Sequence, residues 1–150
     1  MSDEKPPPAR TAPPTSVLFA CNLNTIRSPM AAALMKRRFS SVHVESCGVW
    51  PGGYTDPFMA EVMAELGPDL TEHEPKTFEE LDDLSFDLIV ALTEPSRERA
   101  EELCRTRACE VEFWDLTDPS DAGETREQRL NAYRAVRDEL DAKIKARFAK

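Results

Sequence analysis

No run of apolar residues in this chain is long enough to span a bilayer, and its first residues lack the apolar core of a secretory signal. A cytoplasmic location is the expectation, with no membrane as partner. An excess of positive charge is lacking too: Lys+Arg 19 stand against Asp+Glu 28, a formal net charge of -9. That balance argues against a general binder of nucleic acid or of anionic surfaces, so any anion must be held locally. Histidine is scarce, with only His43 and His73, and Cys21, Cys47, Cys104 and Cys109 contain no CxxC pair. No metal site is spaced along the chain, and neither metal nor cofactor is expected. The cysteines are spread through a periodic α/β pattern rather than a short disulfide framework, so reduced thiols are expected. No repeat is visible, and 150 residues suffice for one domain with a substantial core.

What is present is organised around Ser16 to Phe39. Val17 to Ala20 is a short apolar run of strand type, and Met30 to Phe39 is made of helix formers, so Cys21 to Ser28 links a buried strand to a helix. Ser28 before Pro29 reads as the helix start, with the hydroxyl accepting an orphan amide and the proline in the first turn. The amides of such a loop are free to converge on an anion, the helix end adds partial positive charge, and Arg27 adds a planar fork suited to a tetrahedral oxyanion. Cys21 stands at the other end of the same loop, where all of these favour thiolate over thiol. A nucleophile and an anion clamp thus share one loop. An isolated Cys-x5-Arg-Ser match would more simply be a small buried cysteine and a surface charge; the strand before it and the helix start after it favour the functional reading.

Along the rest of the chain, Met1 to Thr15 carries five prolines and is expected to be a disordered or extended tail before a domain over residues 16–150. Val42 to Val49 reads as a second strand, Pro57 to Leu66 as a helix capped by Asp56 or Thr55, and Thr77 to Leu84 as a short helix with a Thr77/Glu80 capping box. Phe86 to Leu92 reads as a buried strand, Glu94 to Arg105 as a charged helix, Val111 to Trp114 as a fourth strand, and Thr125 to Phe148 as a long amphipathic helix. Strands alternating with helices predict an α/β fold of three layers, a four-stranded parallel sheet with helices on both faces and its ligand beyond the strands' carboxyl ends. Cys21 and the loop carrying Asp115, Asp118 and Asp121 share that edge.

Cys21, Asn24, Arg27, Ser28 and Pro29 resemble the phosphate loop of the low-molecular-weight protein tyrosine phosphatases, relatives of the thioredoxin-coupled arsenate reductases. The resemblance runs from Ser16 to the C-terminus. It implies that Cys21, Arg27 and Asp118 are catalytic, with Asp118-Pro119 matching the family's acid loop, and that Asn22, Leu23, Asn24, Thr25, Ile26 and Ser28 complete the substrate-binding loop. Ser46, in a Ser-x-Gly, and His73 match residues that hydrogen-bond Asn24 and hold the loop. Asp121, and secondarily Asp115, have the alternative role of capping turns or the last helix. Three positions depart from the pattern. Leu23 replaces a glycine, implying an altered or strained loop; Ile26 replaces a frequent second cysteine; Ser120 replaces the aromatic after Asp-Pro, leaving Trp50 or Tyr54 to wall the pocket.

The chemistry implied is metal-free hydrolysis of a phosphomonoester through a phosphocysteine, the substrate being a phosphorylated protein or a small phosphomonoester. Arsenate reduction on the same loop is the alternative enzyme, for which Cys104 and Cys109 would have to serve, since Thr93-Glu94 stands where the related reductases place a cysteine. A phosphoanion-binding module without turnover is the alternative of another class.

Overall fold

A computed structural model of the chain describes residues 13–149. Four strands, β1 (Ser16–Cys21), β2 (His43–Gly48), β3 (Leu88–Ala91) and β4 (Glu110–Phe113), pair in parallel in the order β2-β1-β3-β4. Helix α1 (Arg27–Arg38) joins β1 to β2, α2 (Pro57–Ala64) follows β2, α3 (Glu94–Cys104) joins β3 to β4, and α4 (Arg126–Phe148) follows β4. The expected three-layer α/β architecture is present.

The alternation of β1 divides the interior in two. Val17, Phe19 and Cys21 face the larger cluster built with α1, α2 and α4, whereas Leu18 and Ala20 face a smaller one containing Phe78, Ile89 and Ala100. Both faces of β1 are covered, which is why it reads as an unbroken apolar run rather than an alternating one. On α4, Leu130, Tyr133, Val136, Leu140 and Ile144 are buried at helical spacing. Because α1 and α3 cross over between neighbouring parallel strands, the loops that leave β1, β3 and β4 all emerge at the same edge of the sheet.

Several local expectations give way. Helix α1 begins at Arg27, two residues into the expected loop, and its N-cap, Ile26, makes no side-chain cap bond. Ser28 is therefore not a cap; its hydroxyl is drawn into the buried loop instead. The Thr77/Glu80 capping box forms, but it opens one 3-10 turn, Phe78–Glu80, rather than a helix to Leu84. The expected tail lies outside the described residues except at Pro13–Thr15. There Pro14 is buried and the Thr15 amide donates to Asp87 Oδ2 at 2.7 Å.

The expectation of four thiols is also corrected: Cys104 and Cys109 form a disulfide, whereas Cys21 and Cys47 are free and buried. The cause is the tight return from the end of α3 to the start of β4, which brings the two Cα atoms to 5.4 Å, a separation that a disulfide spans. The bond closes a short loop, and the loop-entropy relation assigns it about 2 kcal/mol. Denatured without reductant, the protein should show two titratable thiols and, after reduction, four, with unfolding free energy lower by about that amount in the reduced form.

Candidate active site

The turn after β1 places Cys21 3% exposed at the sheet's carboxyl edge, its Sγ 2.9 Å from Ser28 Oγ. Between them Asn24 is fully buried and takes the left-handed conformation, φ 61°. Asparagine tolerates that region because its short amide bonds locally. Here its side chain and its carbonyl are all engaged: Nδ2 donates to Ser28 Oγ at 2.8 Å and Ser46 Oγ at 2.9 Å, Oδ1 accepts from the Lys76 amide at 3.0 Å, and the backbone carbonyl meets His73 Nε2 at 3.0 Å. A carbonyl can only accept, so the neutral His73 ring carries its proton on Nε2. Burial first, then the nearby Lys76 and Lys36 charges, keep the imidazole pKa below its ordinary value, although the Asn24 carbonyl pulls the other way. His73 is therefore neutral at neutral pH.

The strain expected at Leu23 is absent, since Asn24 alone among the described non-glycine residues has positive φ. Leu23 points outward, 42% exposed. Room for the loop comes from glycines across from it. A Cβ on Gly48 would lie 2.8 Å from Asn22 O and Asn24 N, and one on Gly52 would strike Leu23 O. Gly48 belongs to the Ser-x-Gly read above only for its serine, and both glycines are positions that sequence reasoning missed.

Ser28 Oγ accepts from Asn24 and lies within reach of both the Cys47 carbonyl, at 3.2 Å, and Cys21 Sγ. It has one proton to give. A thiol at Cys21 donates to it and leaves that proton on the Cys47 carbonyl; a thiolate receives it. Cys47 itself, on β2, faces the other side of the sheet, and burial first, then the neighbouring Cys21, push its thiol pKa well up. It stays protonated.

The amides of residues 22–26 donate to no other group among the described residues. Arg27, 9% exposed, is held over the loop by the Leu116 carbonyl at 3.1 Å, and its Nη2 lies 3.8 Å from Asp118 Oδ2. Burial would raise the Asp118 pKa, but the Ser120 hydrogen bonds and then the Arg27 charge outweigh it and hold the carboxyl below its ordinary value. A pocket of about 380 Å³ joins these parts, lined by Cys21, Asn22, Thr25, Arg27, Asp56 and Asp118. Leu23, Ile26, Trp50 and Ser120 complete its wall. Tyr54 does not line it and is 81% exposed. Asp115 and Asp121 are also outside it, and the last helix is capped by Thr125 rather than Asp121.

Asp56 is a second site residue that the sequence pointed to only as a helix cap. Oδ1 accepts from the Phe58 and Met59 amides as expected, but Oδ2 also accepts from Tyr133 OH at 2.8 Å, and its amide donates to Thr25 O at 3.3 Å. One residue so ties α2, α4 and the phosphate loop together. Among the described residues no group of His, Cys, Asp or Glu is gathered that would hold a metal ion.

The family model for low molecular weight phosphotyrosine protein phosphatase matches residues 16–150. An arsenate reductase of Halalkalibacterium halodurans is 30% identical over 86% of this chain and 91% of its own. A probable low molecular weight protein-tyrosine-phosphatase, EpsP, of Ralstonia nicotianae is 34% identical over 69% of this chain and 77% of its own. Among solved structures, the YwlE arginine phosphatase from Geobacillus stearothermophilus superposes with a TM-score of 0.71 at 26% identity, covering 87% of this chain and 88% of that one. The chain with its cysteine, arginine and aspartate around one loop therefore belongs to the low molecular weight phosphotyrosine protein phosphatase family. It is an enzyme of that kind.

Replacing Asn24 with alanine should take the Asn24 partner from the buried Ser46 hydroxyl and the Lys76 amide, remove one donor from Ser28 Oγ, and put a Cβ-bearing residue without local bonds at positive φ. We expect a loss of about 3 kcal/mol or more in urea unfolding, with a fall in turnover measured on the fraction that remains folded.

Proposed function

We propose that the protein hydrolyses phosphorylated substrates in the cytoplasm through a phosphocysteine formed on Cys21, without a metal. The observation behind this is the joining of a buried Cys21, the unused amides of the loop, Arg27 and Asp118 in one pocket. Cys21 Sγ attacks phosphorus in line as the bond to the leaving group breaks, and the loop amides and the Arg27 fork take the three equatorial oxygens. Ser28 donates its proton to the sulfur when that sulfur is anionic, and so also favours its departure in the second step. Asn22, Leu23, Asn24, Thr25 and Ile26 supply the cradle, and Ser46 and His73 act on it through Asn24.

Asp118 is the proposed acid. Its carboxylate is paired with Arg27. A bound phosphate dianion takes over the guanidinium and sets negative charge beside the carboxylate, and both changes favour its protonated form. Asp118 then protonates the leaving atom, and as a carboxylate it accepts a proton from the water that cleaves the phosphocysteine.

The arrangement of thiols favours hydrolysis over arsenate reduction. Cys104 and Cys109 are joined to each other ahead of β4, at the edge of the sheet opposite Cys21, and Cys47 faces the other side of the sheet. None is set to take up an oxidised Cys21. A second reading of the substrate has one observation in its favour. The pocket presents the carboxylates of Asp56 and Asp118 and carries Ser120 in place of an aromatic after Asp118-Pro119, a lining suited to a cationic leaving group such as the guanidinium of phosphoarginine. Comparing a phosphoarginyl with a phosphotyrosyl peptide in kcat/KM decides between them.

Cys21→Ser should abolish turnover of p-nitrophenyl phosphate while retaining binding of vanadate or phosphate by calorimetry, because a serine hydroxyl stays un-ionised where the cradle survives. Turnover near the wild-type rate would sink the mechanism, and absence of turnover by the unaltered protein would leave a binding module. Asp118→Asn should slow hydrolysis of esters with poor leaving groups by about 10²–10⁴-fold and of nitrophenyl esters by less. A loss that does not vary with the leaving group would take the acid role away from Asp118.

A further inference from the structure

The catalytic pocket does not end at Trp50. This side chain, 50% exposed, lines both that pocket and a second, larger groove of about 490 Å³ running along α3. Helix α3 starts beyond the carboxyl end of β3, at the catalytic edge, and runs back toward the opposite edge. Along α3 the groove lining runs Glu98, Arg99, Glu101, Glu102 and Arg105, so a carboxylate is the first charge beyond the catalytic pocket and Arg105 is farthest from it. Glu101 is paired with Arg97 at 3.3 Å, and Glu102 with Arg99 at 3.4 Å, while Arg99 is held more closely by Glu79 at 2.6 Å. Glu98 has no such partner among the described residues and is exposed.

We propose that this groove is the second half of the substrate site, taking the segment of a phosphorylated polypeptide that flanks the modified residue and favouring Lys or Arg close to it. The inference rests on the phosphatase reading, which puts the modified residue in the Cys21 pocket. From there the chain has Trp50 as its apolar shoulder and Glu98 as the first charge it meets. One helical turn, from Glu98 to Glu102, advances about 6 Å, and an extended chain covers that in about two residues, so basic side chains in the first few flanking positions fall beside these carboxylates. The occupant is a basic segment because the unpaired charge nearest the pocket is negative; an acidic segment would meet Glu98 without compensation. The same design reconciles an anion pocket with a chain of net charge -9, since only the phosphate faces Arg27 and its flanks face carboxylates.

The test uses the full chain carrying Cys21→Ser, so that peptides bind without turnover, and two phosphotyrosyl peptides that differ only in having Lys or Glu at the three positions on either side of the modified residue. The Lys peptide should bind about three- to fivefold more tightly at low salt, and the preference should shrink at high salt, as expected of exposed charges. Adding Glu98→Lys should erase or reverse it, whereas Glu139→Lys, the same change of charge on the exposed side of α4, should keep it. Equal affinities for the two peptides, or a preference that survives Glu98→Lys or is lost equally with Glu139→Lys, would overturn the groove. Failure of the protein with Cys21 intact to turn over p-nitrophenyl phosphate would instead remove the phosphatase reading, and the binding comparison would still decide whether the groove reads charge.

Discussion

The site depends on one buried amide. Asn24 is held in a conformation that few residues accept, and its side chain and carbonyl are all engaged in holding it there. Its partners come from far apart in the chain: Ser28 on α1, Ser46 on β2, and His73 and Lys76 in the segment before the 3-10 turn. Because the amides of residues 22–26 donate to no group among the described residues, the side chain of Asn24 stands in for the secondary structure that the loop gives up. That is the condition for leaving a row of amides unspent on the protein and available to an anion.

A protein of net charge -9 can hold a dianion only if the opposing charges are close and the repelling ones distant or neutralised. Arg27 meets the first requirement, being buried over the loop and anchored by the Leu116 carbonyl. Asp118 runs against the second until its position is considered. Its carboxylate is paired with Arg27, and in the proposed mechanism a phosphate that takes over the guanidinium favours the protonated form. The Asp56 carboxylate is held by two helix amides and Tyr133 OH, which fixes where its charge stands in the pocket wall.

Much of this was legible along the chain. The strand, loop and helix around Cys21 carry local signals that agree with one another, and so do the strands β2 and β3, the long stripe of α4 and the Asp56 cap. The candidate acid was legible through Asp118-Pro119, although its neighbours Asp115 and Asp121 were chemically equivalent in sequence. Ser28 misled because a serine before a proline has two ways to use its hydroxyl. The capping use is local, while the use it makes, with Cys21, Asn24 and Cys47, needs the end of β2 alongside.

Residues within a few positions of one another, where propensity, capping and periodicity act, already specify the α/β order, the loop with Cys21 and Arg27, and the candidate acid. Tertiary structure alone decided the rest. The missing loop glycine did not strain Leu23, because Gly48 and Gly52 on another segment make the room. Cys104 and Cys109 pair because a crossover returns tightly, and Trp50 and α3 line a common groove because β2 and β3 lie on either side of β1 in the sheet. These are contacts between residues distant in sequence, and they exist only when the hydrophobic faces of β1 have been covered on both sides and the loops at its carboxyl end have been brought together.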